Sequence, residues 1–221
     1  MRILGLDEAG RGSVLGPLVV GGFLYEVAAE TALRDLSVQQ ALRDAGADDS
    51  KALRPKRRDA VRAVLEDMGD GRVVQVTAVQ IDGGNLNRLE EDAFVALVVA
   101  TRPDQVYLDA PCHPRSVGAL RKRLDDALSA AGGPLPGWVI EPKADATWPV
   151  VGAASIFAKT TRDAAMASLS EAHGQPLGSG YPGDPVSRRW ISGFLSRDEP
   201  LPACVRSRWG TIDKLRQQQL F

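Results

Sequence analysis

The chain has 221 residues, with 27 Lys+Arg against 28 Asp+Glu and 44% hydrophobic positions, a balance that suits one folded body with a small appendage and excludes disorder and collagen-like repeats. A net charge of −1 gives no overall attraction to phosphate, so any nucleic-acid role has to come from local clustering of basic residues. Apolar stretches are broken well short of the ~20 residues of a membrane span, and two cysteines, Cys112 and Cys204, are too few for a disulfide framework or a thiolate metal site.

Short β-rich runs predict strands over residues 3–6, 18–25, 73–79, 106–108 and 138–140, and helical spacing predicts helices over 54–68, 86–101, 115–131 and 149–172. Only a short segment separates the first two strands, so they pair antiparallel, whereas helices separate the later ones. The expected fold class is α/β: a mixed five-stranded sheet flanked by helices, over residues 1–173. Residues 174–221 begin rich in Gly and Pro and then turn basic, with seven Lys+Arg against three Asp+Glu from Val186 onward. They are expected to form a small helical appendage that docks through Trp190, Ile191, Phe194, Leu195 and Trp209.

Acids sit at two predicted strand ends. Asp7 and Glu8 close the first strand and are followed by Ala9-Gly10-Arg11-Gly12. Neighbouring strand residues point to opposite faces, so both carboxylates serve one site only where the backbone leaves the sheet, which the glycines permit; a solvated turn is the alternative. Asp109 ends the fourth strand before Ala110-Pro111, a placement that also suits a turn. Were the two strands neighbours, these carboxylates would converge where a hard divalent cation binds. Asp145 follows the fifth strand and competes with Glu141 and Asp163. Lys159 and Arg162 beside Asp163 favour an ion pair there.

Other motifs carry less. Gly178-Ser179-Gly180-Tyr181-Pro182-Gly183 matches the spacing of a dinucleotide fingerprint, but no strand precedes it and its prolines prevent the turn into a helix. Cys112-His113 reads as surface rather than as a nucleophile pair. Basic residues cluster at Lys51, Arg54, Lys56, Arg57 and Arg58, and again at Arg188, Arg189, Arg206 and Arg208. Tyr181, Trp190 and Trp209 accompany them as candidate stacking platforms.

Taken in order, Gly5-Leu6-Asp7-Glu8-Ala9-Gly10-Arg11-Gly12 with Gly16-Pro17, Asp49-Ser50-Lys51, Tyr107-Leu108-Asp109-Ala110, Lys143-Ala144-Asp145 with Ala153-Ala154-Ser155-Ile156-Phe157-Ala158-Lys159, and Gly178-Ser179-Gly180-Tyr181-Pro182 resemble the blocks of ribonuclease HII, the type 2 ribonuclease H, in its archaeal form. The resemblance implies a ribonuclease H-like fold and an endonuclease that hydrolyses the RNA strand of RNA–DNA hybrids. It also implies cutting 5′ of a ribonucleotide embedded in duplex DNA, leaving 5′-phosphate and 3′-hydroxyl ends.

On the same resemblance, Asp7, Glu8, Asp109 and Asp145 are the catalytic acids and hold two Mg²⁺ or Mn²⁺ ions in the substrate complex. Gly10, Arg11 and Gly12 read the ribose 2′-hydroxyl, Tyr181 packs on the next sugar, and Lys51 meets a phosphate. Ser13 stands where the family commonly has Pro, which is expected to loosen the glycine turn. A non-catalytic binding module would not need four acids beside phosphate, and a resolvase- or transposase-like nuclease would not need the glycine turn and tyrosine loop. A cytoplasmic monomer is expected, with RNA–DNA hybrid and ribonucleotide-containing DNA as partners and no membrane. The end Gln217-Gln218-Gln219-Leu220-Phe221 resembles a shortened sliding-clamp-binding peptide, although a fraying polar helix end is the simpler reading.

Overall fold

Short apolar runs, buried almost continuously in β1, β2 and β4, build a five-stranded sheet with the strand order β3-β2-β1-β4-β5. Its strands are β1 (Arg2–Ala9), β2 (Leu18–Glu26), β3 (Asp70–Val76), β4 (Gln105–Asp109) and β5 (Gly137–Glu141). The computed structural model describes residues 1–28, 35–47 and 53–218. Parallel pairing joins β1 to β4 and β4 to β5, with Leu6 opposite Leu108 and Asp109 opposite Glu141. At the other end of β1, Met1 and Val27 exchange both main-chain hydrogen bonds, each 2.9 Å, the closed pair of antiparallel neighbours. The sheet is therefore mixed.

A 3₁₀ turn over Leu36–Gln39 leads into α1 (Gln40–Asp44), and the remaining helices are α2 (Pro55–Glu66), α3 (Ala78–Gly83), α4 (Leu86–Thr101), α5 (Val117–Ala130), α6 (Ala144–Thr147), α7 (Pro149–Ala172), α8 (Pro185–Ser196) and α9 (Gly210–Gln217). Among the described residues, no helix is long and apolar enough to cross a membrane. The third strand lies three residues earlier than the sequence pattern predicts. Thr77 ends it by capping α3: its hydroxyl accepts from Gln80 N and the Gln80 side chain accepts from Thr77 N, so Val79 belongs to a helix.

Two compact units divide the chain. One holds Met1–Ala9, Val20–Val74 and Glu90–Thr160, and the other Gly10–Val19, Gln75–Leu89 and Thr161–Phe221. This division differs from a boundary at 173/174, because the glycine turn after β1, α3 and the second part of α7 group with the C-terminal segment. In the first unit the core gathers Ile3, Phe23, Tyr107, Val139, Trp148 and Phe157, with Tyr107 and Trp148 rings 4.9 Å apart. Gly5 on β1 lets α7 approach closely, since a Cβ there would collide with the Val150 carbonyl. In the second unit Val14, Leu15, Met166, Leu177, Trp190, Val205 and Ile212 form a separate core. There Leu15 bridges to Val205, and Gly16 N donates to Cys204 O at 2.9 Å.

Candidate active site

In the first unit, the parallel pairing of β1 with β4 brings Asp7 and Asp109 to the same end of the sheet. Asp145 arrives by a short helix. Lys143 adopts a left-handed backbone (φ 61°), an uncommon conformation for a residue with a side chain, and it turns the chain so that α6 starts at Ala144. Ala144 N then donates to Asp109 Oδ1 at 3.2 Å, which fixes Asp109 and the start of α6 together. The result is a group of three carboxylates, Asp7, Asp109 and Asp145, with one oxygen of each lying within 4.8 Å of the others.

Asp7 is 4% exposed. Burial pushes its pKa up to about 6; Ser155 and the main chain at Glu8 hydrogen-bond it and pull the other way, while the charges of Asp109 and Asp145 push it further up. Ser155 stands fully buried on α7 and was not singled out as a site residue from sequence. Glu8, half-buried on β1, is not one of the three. Glu141 accepts from Trp148 Nε1 at 3.2 Å.

In the second unit the turn at Gly10, Arg11 and Gly12 is held from within. Gly10 has φ 84°, and a Cβ on it would collide with Arg162 Nε and sit 2.7 Å from Pro17 O. Around Gly12 nothing lies within 4 Å of where a Cβ would sit, so the fold itself does not require glycine there. Ser13 does not loosen the turn: its hydroxyl donates to Gly10 O at 2.8 Å and does the pinning that a proline ring would do by stiffness. Arg11 donates to Asn87 Oδ1.

The tyrosine loop belongs to the same unit. Val14 N and Leu15 N donate to Gly180 O at 2.7 and 3.1 Å, and the Asp184 side chain accepts from Ser179 N, Val186 N and Ser187 N. A side-chain hydrogen bond with Ser179, together with these main-chain bonds, holds the Asp184 carboxyl down at about 2, and those from Val186 and Ser187 also cap α8. Tyr181 is 42% exposed.

The basic clusters come out unevenly. Arg206 is not a surface cation but wholly buried. Its Nη2 donates to Gly10 O (2.7 Å) and Gly16 O (3.1 Å), its Nη1 to Arg11 O (2.9 Å) and its Nε to Gly16 O (3.2 Å). Burial depresses its pKa to about 10, so it remains charged at neutral pH. Arg208 is tied to the Asp82 carbonyl at 2.8 Å. Trp190 packs in the core against His173 and Phe194, and Trp209 lies beneath the Arg206 guanidinium at 5.1 Å, so neither is an open stacking platform. Lys51 lies outside the described residues, as do residues 219–221.

The chain matches the sequence profile described as Ribonuclease HII over residues 4–212. It is 36% identical over 216 residues to Ribonuclease HII of Methanocella arvoryzae, covering 95% of this chain and 89% of the relative. Among solved structures it resembles the ribonuclease H2 of Pyrococcus horikoshii OT3, with TM-score 0.81, 34% identity and coverage of 100% and 99% of the two chains. It also resembles the RNase HII of Archaeoglobus fulgidus, solved in complex with PCNA, with TM-score 0.80, 31% identity and coverage of 97% of each chain.

Proposed function

The chain belongs to the ribonuclease HII family, metal-dependent endonucleases acting on the RNA of RNA–DNA hybrids, and from that premise we propose that it also cuts 5′ of a single ribonucleotide embedded in duplex DNA. The observation that carries the metal-dependent chemistry is the group of Asp7, Asp109 and Asp145, gathered within 4.8 Å around a buried carboxylate that resists ionisation. Crowded acids of this kind need a counter-charge, and an all-oxygen donor set suits a hard cation such as Mg²⁺ or Mn²⁺ rather than zinc. Asp7, Asp109 and Asp145, joined by Glu8, would hold two such ions in the substrate complex. The chemistry those ions supply when bound is an acidified water for in-line attack and charge to offset the leaving 3′-oxygen.

The chain's own groups select the substrate. Only the 2′-hydroxyl distinguishes RNA from DNA at the cut, and the main chain at Gly10, Arg11 and Gly12 reads it. The empty space about the Gly12 Cβ position supports this, because it leaves room for a sugar that a side chain would fill. Tyr181, with its ring exposed, packs on the following deoxyribose, and Lys51 contacts a phosphate. Separately, the tail 217–221 docks on a sliding clamp, a reading supported by the PCNA complex of the relative from Archaeoglobus fulgidus.

Incubation with a DNA duplex carrying one ribonucleotide, with and without Mg²⁺ or Mn²⁺, tests the activity. One incision 5′ of the ribonucleotide, leaving 5′-phosphate and 3′-hydroxyl ends only when the cation is present, is expected. Cleavage of continuous hybrid alone would remove the finer assignment.

A further inference from the structure

Arg162 is the side chain on which the glycine turn and the tyrosine loop meet. It is 4% exposed, and three contacts define its place. Its Cδ and Nε lie against Gly10, close enough that a Cβ there could not fit. Its Nη2 donates to Ser179 O at 2.8 Å. Its guanidinium carbon stands 4.9 Å from the centroid of the Tyr181 ring. Gly180 also passes near, though less tightly, since a Cβ on it would lie 3.0 Å from Nη2.

Hydrogen bonding alone does not account for this position. Arg162 Nε is buried with no hydrogen-bond partner, a cost that a side chain seated only for its polar contacts would avoid. What the arrangement gains is a flat cation on one face of an exposed aromatic ring, gripped at the same time by the turn and by the loop. Arginine suits this because its planar fork can stack and donate in its own plane together, whereas a lysine ammonium is a point charge that cannot hold both contacts.

We propose that Arg162 is the positioning residue for Tyr181, fixing the ring relative to the turn at Gly10, Arg11 and Gly12 and thereby setting the preference for a ribonucleotide followed by deoxyribose over continuous RNA. The proposal rests on the reading that Tyr181 packs on the sugar after the cut.

The test is the ratio of initial rates on a duplex with one embedded ribonucleotide and on a continuous RNA–DNA hybrid. It is measured for wild type, Arg162→Lys, Arg162→Met, Tyr181→Ala and Arg162→Lys combined with Tyr181→Ala, with melting temperatures alongside. Tyr181→Ala lowers the ratio about tenfold and each Arg162 variant lowers it about fivefold, in line with the strength of a cation–π contact to a partly exposed ring. In the Tyr181→Ala background Arg162→Lys changes the ratio no further. A wild-type ratio for Arg162→Lys, with the ratio of Tyr181→Ala lowered, overturns the positioning role and leaves the Tyr181 reading standing. A wild-type ratio for Tyr181→Ala removes both. Multiplicative losses in the double variant would make Arg162 a general structural residue and also overturn the proposal. Should the Arg162 variants not fold, Tyr181→Phe and Tyr181→Leu decide: Phe keeps the ratio and Leu loses it if stacking positions the ring, and a ratio kept by Leu contradicts it.

Discussion

Arg206 Nη2 lies 2.7 Å from the carbonyl oxygen of Gly10, although 196 positions separate the two residues along the chain. With the carbonyls of Arg11 and Gly16 on the same guanidinium, one buried cation collects three main-chain acceptors that no helix or strand satisfies. Arg206→Gln withdraws donors from the Arg11 and Gly16 carbonyls, at about 1–3 kcal/mol for a buried group left unpaired, whereas Gly10 O keeps the Ser13 hydroxyl. The variant should unfold at clearly lower urea than wild type and lose cleavage on every substrate. An unchanged urea midpoint would show that the turn does not depend on this residue.

The acids should serve chemistry more than folding. Asp7→Asn, Glu8→Gln, Asp109→Asn and Asp145→Asn are each expected to abolish most cleavage while leaving a folded protein that binds hybrid, and Asp163→Asn to retain far more activity. Equal losses at positions 145 and 163 would contradict the choice of Asp145.

Asp7 also gives this cluster a pH signature. Its folded pKa is raised from 3.8 to about 6, so the folded state binds more protons between those values. Its contribution to stability is fully present below about pH 4 and is lost as pH rises through about 6. Divalent cation should therefore raise the melting temperature more at pH 8 than at pH 5, and Asp7→Asn should flatten that difference. A cation shift independent of pH in this window would show that Asp7 is not a ligand.

How much of this was legible in the sequence varies with how local each cause is. The helices over Leu86–Thr101 and Pro149–Ala172 were readable because apolar spacing and flanking residues agree. The third strand slipped because Val76-Thr77-Ala78-Val79 looks β-rich while the Thr77 and Gln80 cap overrides it, a signal that the Thr-x-x-Gln spacing does contain. Acids at strand ends could be seen, but whether Asp145 reaches them depends on the left-handed Lys143 and on Ala144 N meeting Asp109. Nothing local separates Arg206 from Arg208, or Arg162 from an ordinary helix-face cation. Their burial is decided by carbonyls and a ring contributed from distant parts of the chain.

Asp184 works in the opposite sense from Asp7. Hydrogen bonds from Ser179, Val186 and Ser187 hold it down from 3.8 to about 2, so its contribution is present above about pH 4 and lost as pH falls through about 2. Asp184→Asn should lower stability at pH 7 and reduce the further loss between pH 4 and pH 2, followed by denaturant titration at each pH. Parallel stability curves for the two proteins would contradict the cap.

Removing residues 217–221 should weaken capture by the host's sliding clamp and leave cleavage of a short duplex as it was. Gln218 Oε1 accepts from Arg188 Nη2 at 3.1 Å, a contact that deletion also removes, so melting temperature is recorded beside the pull-down. Full capture by the shortened chain would dismiss the tail as a clamp ligand.

Gly12 allows the proposed recognition to be tested apart from folding, because the protein places nothing within 4 Å of a Cβ there. The decisive measurement is therefore the pair of initial rates of Gly12→Ala on continuous hybrid and on the single-ribonucleotide duplex, with its melting temperature. A methyl group that intrudes only on the bound sugar leaves the melting temperature within a degree or two and lowers both rates by about a hundredfold or more, the loss expected when reacting groups are misplaced by about 1 Å. Wild-type rates on both substrates would show that the main chain of this turn does not read the ribose.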